Sequence, residues 1–166
     1  VQDMAKASED DILRAWAGLG YYSRARNLKK CADAVVMQYD GKFPDNVEGL
    51  KELPGIGDYT SAAIAAIAFG EAAAVVDGNV ERVISRLYTI DTPLPAAKTE
   101  IRALMGQLTP TDRPGDFAQS MMDLGATICT PRRPACAICP VNEDCMALAS
   151  RDPEEFPVKA PKAEKP

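Results

Sequence analysis

Apolar residues recur along most of this chain at the three- and four-residue spacing of one helix face. The spacing predicts the end of a helix over 2–7, a helix over 9–17 capped by Ser8, and a longer one over 21–39, where Ala25, Leu28, Ala32, Val35, Val36 and Tyr39 share a face. Gly18-Leu19-Gly20 separates the last two, and 40–44 reads as a turn. A short helix over 47–53 runs into Leu53-Pro54-Gly55-Ile56-Gly57, and a helix apolar nearly all round follows over 58–69, closed by Gly70 as a left-handed cap. That helix is expected at the centre of the core. An apolar connector, 72–76, leads to Asp77-Gly78 at the entrance of an amphipathic helix marked by Val80, Val83, Ile84, Leu87 and Tyr88. Pro93 and Pro95 break the chain, helices are expected over 96–108 and 115–128, and a short one over 145–149. The Pro-, Lys- and Glu-rich stretch 152–166 reads as a disordered linker. No segment alternates as a strand does, so the predicted fold is all-α.

Composition narrows the function. At 166 residues, 46% hydrophobic and 26% charged, the chain suits one soluble domain or two small lobes. Its longest apolar run is too short to span a bilayer, and no signal peptide is legible, so a cytoplasmic (bacterial, nucleoid-associated) or otherwise intracellular location is expected. The chain begins without Met in what reads as a helix, and is expected to be part of a longer protein. It contains no histidine, which excludes His-based acid–base catalysis and mixed Cys/His zinc sites. A net charge of −5 and a pI of about 4.8 speak against nucleic acid as a partner for the surface as a whole. The cations are nevertheless grouped: Arg24, Arg26, Lys29 and Lys30 on one helix, Arg82 and Arg86 after the acid, and Arg132 and Arg133 between two prolines. A local phosphate-binding surface is therefore expected.

Four of the five cysteines carry the strongest chemical signal. Cys129, Cys136, Cys139 and Cys145 have the spacing C-x6-C-x2-C-x5-C, while Cys31 sits alone among apolar helix positions and reads as core. Without a secretion signal, and with an odd cysteine count, disulfides are disfavoured. Four thiolates suit tetrahedral zinc or an iron–sulfur cluster. The Pro-Gly-x-Gly turn is either a plain helix corner or a place where the backbone N–H groups of Gly55 and Gly57 approach a phosphate. Asp77 either caps a helix or acts as an ionised carboxylate that stabilises a cation. Tyr21 and Tyr22 are either core aromatics or aromatic tips beside Arg24 and Arg26.

These pieces together resemble the adenine DNA glycosylases of the helix–hairpin–helix superfamily. The resemblance rests on GLGYYSRARNL (18–28), LPGIGDYTSAAI (53–64), VDGNVERV (76–83), MMDLGATICT (121–130) and the cysteine spacing. It implies an all-α fold with a hairpin-and-acid lobe over 1–114, the hairpin at 47–69, and a 4Fe–4S cluster lobe over 115–151. It also implies a monomer that binds double-stranded DNA carrying an adenine mismatch and flips out the target base. Pro54, Gly55, Ile56 and Gly57 would be the DNA-binding hairpin, Asp77 the catalytic aspartate, and Asn79 a second polar residue of the active site. Tyr21 would wedge into the duplex, with Arg24, Arg26, Arg132 and Arg133 on the phosphates, and Cys129, Cys136, Cys139 and Cys145 would hold the 4Fe–4S cluster. The implied reaction hydrolyses the N-glycosidic bond of adenine opposite 8-oxoguanine or guanine. In that family the general-acid glutamate, a helix completing the cluster lobe and the 8-oxoguanine-reading domain lie outside the span 1–166, so this segment alone is expected to be inactive. One rival is a thymine-glycol type glycosylase with lyase activity, whose catalytic lysine position holds Tyr59 here. The other is a non-catalytic, zinc-bound helical DNA-binding module.

Overall fold

Side-chain caps start several of the helices. In a computed structural model of the chain, whose described residues are 1–161, the Ser8 hydroxyl accepts the Asp11 amide and opens α2 (Glu9–Ala15). Asn46 accepts the Gly49 amide and opens α4 (Val47–Lys51). The other helices of the first compact unit, residues 1–69, are α1 (Gln2–Lys6), α3 (Tyr22–Tyr39) and α5 (Asp58–Phe69). α3 packs against α1 and α2, and α4 against α5. The unit's core joins Cys31, Ala34 and Val35 of α3 to Leu50, Leu53 and Ala65 of the hairpin. Gly70 takes the left-handed conformation expected of it, with φ 74°.

α5 is less central than its composition implies. It buries Ser61, Ala62, Ala65 and Ala66, while Ile67 and Phe69 stay 47% and 44% exposed. Its alanines permit close packing on one side only; apolar composition all round is not burial all round.

The second unit begins at Gly70. It contains α6 (Gly78–Leu87), α7 (Lys98–Leu108), α8 (Pro114–Asp123) and α9 (Met146–Ser150). Val80, Val83 and Ile84 of α6 pack with Ile101, Met105, Met121 and Leu124. α8 does not continue regularly to 128: Leu124–Ile128 is a π-turn that ends at the first cysteine of the loop. Among the described residues there is no strand, only an isolated bridge between Leu94 and Lys159, and no helix long and apolar enough to cross a membrane.

Two expectations about organisation differ from what forms. The compact units divide after Phe69 rather than at 114/115, because α6, which follows Asp77, packs with α7, α8 and α9. The expected linker is ordered over much of its length. Pro153–Glu155 forms a 3-10 turn, Phe156 is 1% exposed, and Leu94 N donates to Val158 O at 2.9 Å. One aromatic side chain with a core slot outweighs the linker-like composition around it. The remainder of that expectation, 162–166, lies outside the described residues.

Candidate functional site

In the first unit, an open groove collects residues from α3 and the hairpin. Tyr21, Arg24, Pro54, Gly55, Ile56 and Tyr59 line it. Trp16 Nε1 donates to Gly20 O at 2.9 Å and braces the glycine break, after which Tyr21 adopts φ 47° and stands 82% exposed. Holding a large aromatic outward in a left-handed conformation is costly for folding alone. In the turn, Gly55 has φ 79°, and a Cβ there would lie 2.6 Å from Asn27 Cβ. Glycine is thus required at Gly55 twice over. At Gly57 a Cβ would meet nothing within 4 Å, so the fold places no steric demand there. The Gly57 carbonyl accepts the Ser61 amide and hydroxyl, which anchors the first turn of α5.

Arg26 is not among the groove-lining residues. Its Nε donates to Glu9 Oε1 at 3.1 Å in a half-exposed pair. Asn27, which meets the hairpin, was not singled out by the sequence; only its place one turn beyond the Arg24 position marks it.

In the second unit, Asp77 is the N-cap of α6. Its Oδ1 accepts the backbone amides of Asn79 (2.9 Å) and Val80 (2.8 Å), and its Oδ2 accepts from Asn79 Nδ2 (3.2 Å). Asn79 Oδ1 in turn accepts from Arg82 Nη2 at 2.9 Å. Arg82 also donates to Gly125 O at 2.6 Å and, through Nε, to Cys129 O at 2.7 Å. A continuous chain of hydrogen bonds therefore runs from the carboxylate to the backbone of the first loop cysteine. Gly125 makes it possible, since a Cβ there would lie 2.7 Å from Asn79 Cβ and 2.9 Å from Asn79 O.

Arg82 and Arg86 are not outward-facing cations. Arg86 is 1% exposed; it donates to Cys129 Sγ (3.3 Å), Thr130 O (2.8 Å), Pro131 O (3.1 Å) and Phe156 O (3.2 Å). Burial, then the neighbouring Arg86 charge, lowers the affinity of the Arg82 guanidinium for its proton. A sequence signal for this existed. Asn79, Arg82 and Arg86 recur at i, i+3 and i+7 as a polar stripe beside the apolar stripe of α6.

Cys129, Cys136, Cys139 and Cys145 line one small hollow, together with Arg86, Asn142 and apolar neighbours, and none is in a disulfide. Backbone turns set them: the π-turn delivers Cys129, a 3-10 turn places Cys136 and Cys139, and Cys145 caps α9. Burial first, then Cys129, Cys145 and Cys139, pushes the Cys136 thiol up, while Arg86 draws it down. Among the described residues no three His, Cys, Asp or Glu converge as the ligands of a single metal ion would. Four thiols lining one hollow are the donor set of a 4Fe–4S cluster, and these residues fit that group. Cys31 is buried in the first unit as expected, and burial pushes its thiol up. Arg132 and Arg133 are exposed on the same cysteine loop.

Comparison with known proteins agrees with this geometry. Residues 1–110 match the family described as HhH-GPD superfamily base excision DNA repair protein, and residues 129–145 match the iron–sulfur binding domain of endonuclease III. The chain is 47% identical over 159 residues to an adenine DNA glycosylase of Homo sapiens, covering 94% of this chain and 29% of that protein. It is 37% identical over 161 residues to an adenine DNA glycosylase of Buchnera aphidicola, covering 96% and 46% respectively. It thus spans less than half the length of these curated relatives. Among solved structures it is similar to a thermostable thymine-DNA glycosylase (34% identity, TM-score 0.82, 89% of this chain and 69% of that one). It is also similar to an endonuclease III–DNA complex (26% identity, TM-score 0.73, with the same coverage). By the match over most of its length, with the iron–sulfur segment following in order, the chain belongs to the HhH-GPD superfamily of base excision DNA repair proteins.

Proposed function

We propose that this chain carries the cation-stabilising part of the catalytic machinery of an adenine DNA glycosylase, without its general acid, acting within an intracellular, monomeric repair enzyme on adenine opposite 8-oxoguanine or guanine in double-stranded DNA. The observation that carries the reading is Asp77. Three donors fix its carboxylate at the start of α6, and Arg82 fixes the side chain that supplies one of them. A carboxylate so oriented suits stabilising the oxocarbenium-like sugar that forms as the base departs. Asn79 acts as a positioning residue, holding Asp77 on one side and Arg82 on the other.

The groove of the first unit suits a distorted duplex. Tyr21 is the wedge, Pro54 to Gly57 present hairpin backbone to a phosphate, and Arg24 adds a cation. Arg26 plays a lesser part, since Glu9 already holds it. Cys129, Cys136, Cys139 and Cys145 would hold the 4Fe–4S cluster. When bound, the cluster supplies four iron–thiolate bonds that cross-link the loop on which Arg132 and Arg133 stand.

Likeness of fold does not choose the base that is released, because the solved neighbours include a thymine-DNA glycosylase and endonuclease III. Tyr59 favours adenine hydrolysis without strand cleavage: a phenol, not an amine, faces the groove beside the hairpin. The test is base release by the full-length protein from duplexes holding adenine opposite 8-oxoguanine, adenine opposite guanine, or thymine glycol. Adenine should be released from the first two and thymine glycol left in place. Thymine glycol removal with strand breakage would favour the lyase instead.

A further inference from the structure

Glu154 lies beyond the last loop cysteine and outside both family matches, in a stretch whose composition reads as linker. Its carboxylate nevertheless reaches the tip of the cysteine loop, where Oε1 accepts the backbone N–H of Arg133 at 2.9 Å. Arg133 has φ 49°, in the left-handed region that a long side chain avoids unless its surroundings impose it. Three side chains impose it. Arg86 holds Thr130 O and Pro131 O from beneath, the Thr130 hydroxyl donates to Arg132 O at 3.0 Å, and Glu154 holds the Arg133 amide from outside.

Glu154 is itself anchored. Its backbone N–H donates to Asp152 Oδ1 at 2.9 Å, and the neighbouring Phe156 is buried with its carbonyl accepting Arg86 Nε. One guanidinium thus ties both the loop and the strap that carries Glu154.

We infer that Glu154 is a positioning residue for Arg132 and Arg133, and that the strap over 152–160 is part of the DNA-binding surface. The inference rests on the reading of these arginines as phosphate contacts. Simple electrostatics points the other way, which makes the inference easy to test. A carboxylate beside a phosphate site repels the DNA, so removing an idle Glu154 would tighten binding. Removing a positioning Glu154 loosens the loop and weakens it.

The measurement is affinity of the cluster-loaded chain for a short duplex across a salt series, with iron and sulfide content measured on every variant. Glu154→Ala should bind roughly tenfold more weakly than the parent, with the slope of log affinity against log salt shallower by about one to two. Glu154→Gln keeps an acceptor oxygen in the same place and should bind at least as well as the parent. An Arg132→Ala/Arg133→Ala double variant should be weakened, and adding Glu154→Ala to it should change nothing further. Parental or tighter binding by Glu154→Ala beside a weakened double variant would overturn the inference alone. So would a Glu154→Gln as weak as Glu154→Ala, or iron loss from Glu154→Ala, which would mean that the strap holds the cluster rather than the arginines. Parental binding by the double variant would remove the phosphate reading itself and this inference with it.

Discussion

Arg86 Nη1 donates to Cys129 Sγ at 3.3 Å, and the same guanidinium holds the backbone of the cysteine loop on one side and of the strap on the other. The contact sets a positive guanidinium beside a sulfur that binds iron as a thiolate. The fork geometry matters as much as the charge, since a lysine cannot reach several carbonyls in one plane.

Replacing Arg86 by Leu should therefore cost both the cluster and the fold around it. The carbonyls of Thr130, Pro131 and Phe156 would each lose a donor, at about 1–3 kcal/mol apiece where buried. The parent, purified without air, should contain iron and acid-labile sulfide near about four each per chain. Arg86→Leu should contain far less of both and melt at a lower temperature. One zinc and no sulfide in the parent would contradict the cluster, and full iron content in Arg86→Leu would contradict the role given to Arg86.

Phe156 gives a second prediction. A phenylalanine 1% exposed, replaced by alanine, should destabilise the second unit by about 3–5 kcal/mol in denaturant unfolding. Protease sensitivity between Arg151 and Lys159 should rise with it. A change within about 0.5 kcal/mol, the range of ordinary surface substitutions, would mean that the strap is not packed.

The parts of the molecule that were legible in the sequence are those with a spacing or a backbone demand. The four cysteines have a fixed interval, Gly55 and Gly70 mark left-handed turns, and Asp77 precedes a clear amphipathic helix. Charge was harder to interpret. Arg82 and Arg86 read as cations for phosphate because isolated arginines face solvent far more often than not. Their inward direction depends on carbonyls more than forty residues away, which no local pattern records. Gly125 was passed over for the same reason, since its contact is Asn79 on another helix. The strap was missed because the anchoring contribution of one phenylalanine disappears in an average over Pro, Lys and Glu.

Tyr59 separates the two enzymatic readings. In the full-length protein, borohydride should trap little covalent adduct with DNA, because a phenol forms no imine with the sugar aldehyde. The abasic strand should stay intact until base or heat is applied. Tyr59→Lys places an amine in the groove that holds Tyr59 and should increase trapping. Strong trapping and strand cleavage by the unmodified protein would contradict the assignment of a purely hydrolytic reaction.

Asp77→Asn tests the central claim most directly. The change removes the charge and preserves the shape: a carbonyl oxygen can still cap Asn79 N and Val80 N, while the new amide faces the Asn79 amide donor at a local cost. The measurement is single-turnover release of adenine from an adenine:8-oxoguanine duplex by the full-length protein, with duplex affinity measured on the same samples. The rate should fall by about a thousandfold or more, roughly 4 kcal/mol of transition-state stabilisation, while affinity and iron content stay at parental values. Adenine release by Asp77→Asn at the parental rate would contradict the account, because the carboxylate would then be no more than a helix cap.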